Sequence, residues 1–314
     1  MPLDPKVKSY LDQLAAAGIP PLHQLTPQLV RQALRAQNEA QANQKREPVA
    51  RVVDRTLPGT ARDIPVRLYT PDGAGPFPIV VYFHGGGWCF GDLEIGDATC
   101  RSLTNLVECL VVSVDYRLAP EYPFPAGLED CYSAVKWLAE NSSEVNGDAR
   151  RIAVAGESAG GNLATAVALV AKERGGPPLV FQVLIYPNTD TRLSMPSIEE
   201  NASGYGIGKE DVRWAVNHYF SNQADFDHRW AAVIQATDPA GLPAALILTA
   251  EFDPLRDEGE EYGKHLEAAG VPTTISRYDG VIHGFVSNAQ IFEQGKQALE
   301  EIAASLREVF KLQK

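Results

Sequence analysis

Short, uninterrupted apolar runs punctuate the middle of the chain: IVVYF at 79–83, LVVSV at 110–114, IAVA at 152–155, FQVLI at 181–185 and ALILT at 245–249. Strands covered on both faces of a parallel sheet lose the polar alternation of a half-exposed strand, and runs of this length and β-branched content fit that position. Helical stretches such as 128–140 and 162–173 lie between them and supply the crossovers that parallel neighbours need. The predicted class is α/β, with a mostly parallel, doubly wound sheet. Ahead of the first run, VARVVDRTL and IPVRLYT alternate around Pro58-Gly59, the pattern of an antiparallel hairpin over 49–69.

Two regions break the strand–helix rhythm. Residues 1–45 read as helices: an amphipathic run over 4–17, a break at Gly18-Ile19-Pro20-Pro21, and a second run opened by Thr26-Pro27, with proline at the first helical position. Between Asn188 and about Asp238 a loop rich in Pro, Ser and Gly leads into an aromatic helix over 211–220, which predicts an insertion between two strands. The expected organisation is therefore an N-terminal helical segment (1–45), an α/β unit in two pieces (46–187 and 239–314) and an insertion (188–238).

Composition narrows the function classes. With 45% hydrophobic and 22% charged residues the chain is globular, and 28 Lys+Arg against 40 Asp+Glu, a net charge of −12, argues against nucleic-acid or anionic-membrane partners. No stretch approaches the ~18 apolar residues of a membrane span, and the N-terminus lacks a basic-then-apolar leader, so a cytoplasmic location is expected. The four cysteines, Cys89, Cys100, Cys109 and Cys131, fit neither a metal motif nor a disulfide framework and read as free, buried thiols. No metal or cofactor is implied.

Chemistry concentrates at two glycine-rich turns. The apolar run ending at Ala155 enters Gly156-Glu157-Ser158-Ala159-Gly160 and then a helix, the G-x-S-x-G context in which a turn too tight for flanking side chains exposes a strained central serine at a helix N-terminus. His84-Gly85-Gly86-Gly87-Trp88 directly follows another strand, and consecutive glycines there let backbone N–H groups approach an oxyanion. GESAGG does not match the GxGxxG of a dinucleotide-binding loop.

A serine nucleophile needs a base. Of the six histidines, His23 and His84 precede Ser158, whereas this fold's order is Ser, acid, His; His218 and His228 fall in the insertion and His265 in a helical pattern. His283, in a loop after a strand-like segment, remains as the base. Asp253 leaves the strand AALILTA at the same sheet edge and is the candidate acid, with Asp257 as a helix cap, Asp279 as a competitor and Glu251 as an alternative.

The order HGGGW, DYRLAPEYPFPAGLED, GESAGGN, EFDPLRDEG and HGF resembles the hormone-sensitive-lipase family of α/β-hydrolases, particularly its bacterial and archaeal carboxylesterases, over about residues 50 to 290. The resemblance implies the α/β-hydrolase fold, Ser158 as nucleophile with His283 and Asp253, and oxyanion donors at the N–H groups of Gly86, Gly87 and Ala159, with Gly85 beside them. It also implies a helical cap built from residues 1–45 and 188–238. Many relatives carry Asp where Glu157 stands. The segment Asp115-Tyr116-Arg117-Leu118-Ala119-Pro120-Glu121 is read as a brace for the HGGG loop, with an Asp/Arg pairing.

The expected activity is a serine carboxylesterase acting through an acyl-enzyme on small esters of short to medium acyl chain, without cofactor, as a monomer or homodimer. Tyr205, Trp214, Tyr219 and Phe220 are the candidate pocket-lining residues of the insertion. Plant gibberellin receptors resemble the same family but lack the catalytic histidine; His283 argues against a pure binding module here. A lyase on the same scaffold is the other rival class.

Overall fold

The computed structural model describes residues 1–41 and 45–311, so residues 42–44, at the end of the expected N-terminal segment, lie outside it. Its centre is an eight-stranded sheet formed by β1 (Arg51–Leu57), β2 (Ile64–Thr70), β3 (Phe77–Phe83), β4 (Leu110–Val114), β5 (Gly147–Glu157), β6 (Phe181–Ile185), β7 (Ala244–Phe252) and β8 (Thr273–Ile282). The order across the sheet is β1-β2-β4-β3-β5-β6-β7-β8. The hairpin β1–β2 joins β4 antiparallel, and every later pairing is parallel.

Nine helices are described: α1 (Pro5–Ala16), α2 (Pro27–Gln41), α3 (Asp97–Val107), α4 (Ala126–Glu140), α5 (Ala159–Glu173), α6 (Ser197–Glu200), α7 (Lys209–Tyr219), α8 (Arg256–Ala268) and α9 (Glu293–Phe310). Successive strand residues point to opposite faces, so each apolar run feeds two cores. Ile79, Val81, Phe83, Val112, Val154 and Ile247 meet α4, α5 and α8 on one side. Val80, Tyr82, Val111, Ala155, Val183 and Leu248 meet α3 and α9 on the other. Helices α3 and α9 go beyond those read from the sequence; they complete the second layer.

Among the described residues no helix is long and apolar enough to cross a membrane, and all four cysteines are buried and unpaired. The N-terminal helices lie against both other parts. The Asp4 N–H donates to the Gly280 carbonyl at 2.9 Å, and Val7 is fully buried in the second core. The Trp214 indole N–H of α7 donates to the Leu25 carbonyl at 2.9 Å.

Helix α5 begins unusually close to β3. A methyl group on Gly160 would stand 2.0 Å from the Phe83 carbonyl oxygen, a backbone atom that cannot yield. Gly259 of α8 would instead meet the Thr249 methyl at 3.2 Å. Gly160→Ala should therefore destabilise the protein by about 3 kcal/mol or more, at the upper end of overpacking costs, while Gly259→Ala stays within about 1 kcal/mol. Urea midpoints of the two variants check this ordering, and equal midpoints would contradict it.

Candidate active site

Strand β5 ends at Glu157 and helix α5 begins at Ala159, leaving Ser158 alone in the turn with φ 55° and ψ −121°. A side-chain-bearing residue takes that backbone only when its surroundings impose it. They do so here: the Ser158 N–H donates to the Ile185 carbonyl at 2.9 Å, and its own carbonyl accepts from Asn162 and Asn188. Ser158 lines a cavity of about 510 Å³ together with Gly85, Gly86, Gly87, Ala159 and His283.

The end of β7 delivers Asp253, whose carboxylate is fully buried. One oxygen accepts from the Leu255 N–H at 2.8 Å and the other from His283 Nδ1 at 2.8 Å. With Nδ1 thus carrying the proton, Nε2 is the basic nitrogen. The alternative acids are engaged elsewhere. Glu251 accepts from the Gly280 N–H at 2.7 Å and pairs with the amino group of Met1, Asp257 accepts from the Ser197 N–H and pairs with Arg256, and Asp279 is exposed on β8. The other histidines are likewise occupied: His23 meets Asp211 at 2.8 Å, His218 the Trp214 carbonyl and His265 the Ala236 carbonyl, while His228 accepts from the Trp230 N–H.

The loop after β3 has its carbonyls turned outward and bonded. The Gly85 carbonyl accepts from His84 Nδ1 at 2.7 Å, that of Gly86 from the N–H groups of Cys89 and Phe90, that of Trp88 from Ala119, and that of His84 from the Tyr116 hydroxyl at 2.8 Å. Gly86, at φ 117°, makes this winding possible; a methyl there would meet the Phe90 carbonyl at 2.1 Å. Among the described residues the N–H groups of Gly86 and Gly87 have no protein acceptor. Burial holds the His84 imidazole below its ordinary pKa, so it stays neutral and donates from Nδ1.

Glu157 lies buried behind the nucleophile, accepting from the Tyr186 hydroxyl at 2.7 Å and from the Ser287 hydroxyl. Tyr186 packs on the His283 ring with centroids 4.6 Å apart, so this carboxylate ties the nucleophile turn to the loop that carries the base. The bracing role read for 115–121 has physical content in Tyr116 and Ala119, but the arginine's partner is different. Arg117 forks onto Asp130 of α4, with both oxygens at 2.8 Å, a carboxylate that Arg62 also approaches at 3.7 Å; Asp115 lies instead near His84 and Arg62, where burial raises its carboxyl pKa.

The four aromatic residues singled out in the insertion do not line the cavity. Trp214, Tyr219 and Phe220 are buried in the main core: Tyr219 stacks flat on Trp88 at 4.2 Å, and Phe220 packs on Phe124. Tyr205 stacks on Phe252 at 4.9 Å. They are spent on docking the insertion, which gives the cavity wall the smaller apolar residues Ile207, Val212 and Ala215; the N-terminal segment adds Tyr10, Leu22 and Leu34, and Trp88 and Phe90 of the glycine loop complete it. Besides Tyr186 and Ser287, sequence reasoning missed Asn188, which lines the cavity beside Ser158; no local motif marks these residues.

Also missed is Glu258 of α8, which is wholly buried. One oxygen accepts from the N–H groups of Thr189 (2.7 Å) and Asp190 (3.2 Å), and the other has no partner among the described residues. Burial pushes its carboxyl well above the ordinary value, with the charges of Asp190 and Asp253 adding to the effect.

Comparison with known proteins gives a consistent picture. Residues 80–287 match the model of a family described by its alpha/beta hydrolase fold. The chain is 42% identical to the carboxylesterase NlhH of Mycobacterium tuberculosis over 83% of each protein. It is 36% identical to an arylesterase of Saccharolobus solfataricus, covering 99% of this chain and 100% of that one. Its structure superposes on that of a hyperthermophilic esterase from the archaeon Pyrobaculum calidifontis with a TM-score of 0.93 and 43% identity, covering 98% and 99% of the two chains.

Glu258 yields a pH prediction whose sign follows from its raised pKa. Because the folded state favours the proton, the stability linked to it is complete below the unfolded carboxylate range and is lost as pH rises toward the folded value. Glu258→Gln keeps an accepting oxygen and never ionises. Its melting temperature should gain on that of the wild type as pH rises above the unfolded carboxylate range; a difference independent of pH would show that the group does not titrate this way.

Proposed function

The chain belongs to the α/β-hydrolase family, in its hormone-sensitive-lipase-like branch of carboxylic ester hydrolases, and on that premise we propose that Ser158, His283 and Asp253 are its nucleophile, base and acid. The observation that carries this reading is the 2.8 Å bond from buried Asp253 to His283 Nδ1, in a cavity that also holds Ser158 and two unengaged backbone donors.

His283 Nε2 takes the proton of Ser158 as its oxygen attacks the ester carbonyl carbon. The negative charge that develops on the carbonyl oxygen falls to the N–H groups of Gly86, Gly87 and Ala159, fixed before the reaction starts. The imidazolium returns the proton to the departing alcohol, and Asp253 stabilises the positive ring. Water, deprotonated by the same histidine, then releases the acid from Ser158. Glu157 acts on the geometry of this pair through Tyr186 and Ser287 rather than on the substrate.

In the same reading residues 1–45 and 188–238 form a cap over the α/β unit of 46–187 and 239–314. The protein works as a monomer or homodimer on small esters, and its unpaired, buried cysteines fit a cytoplasmic location. A cleft of about 510 Å³ lined by Ile207, Val212, Leu22 and Leu34 supports short to medium acyl chains.

Two measurements test this. Asp253→Asn should lower kcat about 10³- to 10⁴-fold by permitting the wrong histidine tautomer, and Asp279→Asn should stay within about threefold; the reverse ranking would move the acid to Asp279. Across p-nitrophenyl esters, kcat/KM should climb from acetyl to about hexanoyl, with each buried methylene contributing about 0.8 kcal/mol, and fall well before palmitoyl. Preference for emulsified long-chain triglycerides would make the protein a lipase instead.

A further inference from the structure

Arg31 projects from α2 of the N-terminal segment, does not line the cavity, and reaches the loop that carries the oxyanion donors. Its Nε donates to the Cys89 carbonyl at 2.7 Å, and its Nη2 donates to the Ala119 carbonyl at 2.6 Å and to Glu121 at 2.8 Å. Glu121 in turn accepts from Gln28 of the same helix at 2.9 Å, which orients the carboxylate. Cys89 closes the turn that begins at Gly86, and the Ala119 N–H holds the Trp88 carbonyl. One guanidinium therefore grips both strands of backbone that fix where Gly86 and Gly87 stand.

Only a planar, forked donor spans two such carbonyls and a carboxylate together; an ammonium on a flexible stem does not. The other hydrogen bonds on the loop's carbonyls, from Tyr116 and Ala119, come from the α/β unit itself, while the insertion packs on it through Tyr219 against Trp88. Among the described residues, Arg31 is the hydrogen-bond donor that the N-terminal helices contribute to it. Hydrogen-bond donors aimed at a developing oxyanion lose effect over fractions of an ångström, so a grip of this kind acts on the transition state more than on the bound ester.

We propose that Arg31 is a positioning residue through which the docked helix α2 sets the Gly86 and Gly87 N–H groups for catalysis, so that the N-terminal segment serves the chemical step and not only the shape of the pocket. The inference rests on the serine-esterase reading. Arg31→Met and Arg31→Lys are assayed on p-nitrophenyl butyrate and titrated with an alkyl trifluoromethyl ketone, whose carbonyl carbon bonds the serine oxygen while its own oxygen becomes the anion in the donor site. Folding is monitored by circular dichroism and melting temperature.

For Arg31→Met, kcat falls about 10- to 100-fold with KM within about threefold, and the ketone's inhibition constant rises by the factor lost in kcat/KM. Arg31→Lys falls between it and the wild type, and Arg35→Ala, an exposed position one turn further along α2, keeps wild-type kinetics. A folded Arg31→Met with wild-type kcat, or with lowered kcat and undiminished ketone affinity, overturns the proposal. Should that variant not fold, Arg31→Lys decides by the same two readouts. Wild-type protein that a fluorophosphonate does not label at Ser158 removes the serine-esterase reading and the clamp with it; labelled wild type beside an unaffected Arg31 variant removes the clamp alone.

Discussion

The backbone of Ser158, at φ 55° and ψ −121°, is the constraint around which the site is organised. Holding a residue with a side chain there costs on the order of 1–3 kcal/mol, and the surroundings must over-determine it. Strand β5 is paired in register on both sides, with Phe83 opposite Gly156 and Ile185 opposite Glu157, so the turn cannot drift toward either neighbour. Helix α5 then leaves so close to β3 that position 160 admits no side chain. The same crowding that strains the serine brings it against the loop leaving β3, and its helix N-terminus favours negative charge where the ester oxygen will carry it.

A parallel sheet presents all its strand C-termini at one edge, and this topology assembles the rest. The glycine loop follows β3, Ser158 follows β5, Tyr186 and Asn188 follow β6, Asp253 follows β7 and His283 follows β8. The pairing of β7 with β8 shifts register between Ala250 and Phe252, immediately before the acid. Such irregularities re-aim the residues that follow them. Asp253 thereby turns into the protein, fully buried, and meets His283 rather than solvent.

Features carried by local chemistry were legible in the sequence. Apolar runs marked five of the parallel strands and glycines marked the two turns, because each of these signals sits within a few residues of what it specifies; chain order excluded His23 and His84, and the insertion and helix pattern set aside the rest, leaving His283. Features that arise from residues distant in sequence were not legible. Arg117 finds Asp130, thirteen positions on in α4, and not the nearby Asp115, a pairing that depends on where α4 docks. Trp214, Tyr219 and Phe220 read equally well as pocket or as packing from helical spacing, and the docking of α7 on Trp88 and Phe124 decides for packing. Arg31 meets Cys89 and Ala119 across 58 and 88 positions, with no motif to announce it. Glu157 was visible as a departure from relatives, but its link to Tyr186 and Ser287 required the fold.

The central claim is that an acyl group passes through Ser158 in the site that Asp253 and His283 complete. Rapid mixing of the enzyme with excess p-nitrophenyl acetate, acid quench within the first turnover, and peptide mapping by mass spectrometry measures it directly. The account predicts an acetyl mass on the peptide containing Ser158 that vanishes in later samples once substrate is exhausted. Turnover with no acetyl on that peptide, or with acetyl on another residue, would contradict it.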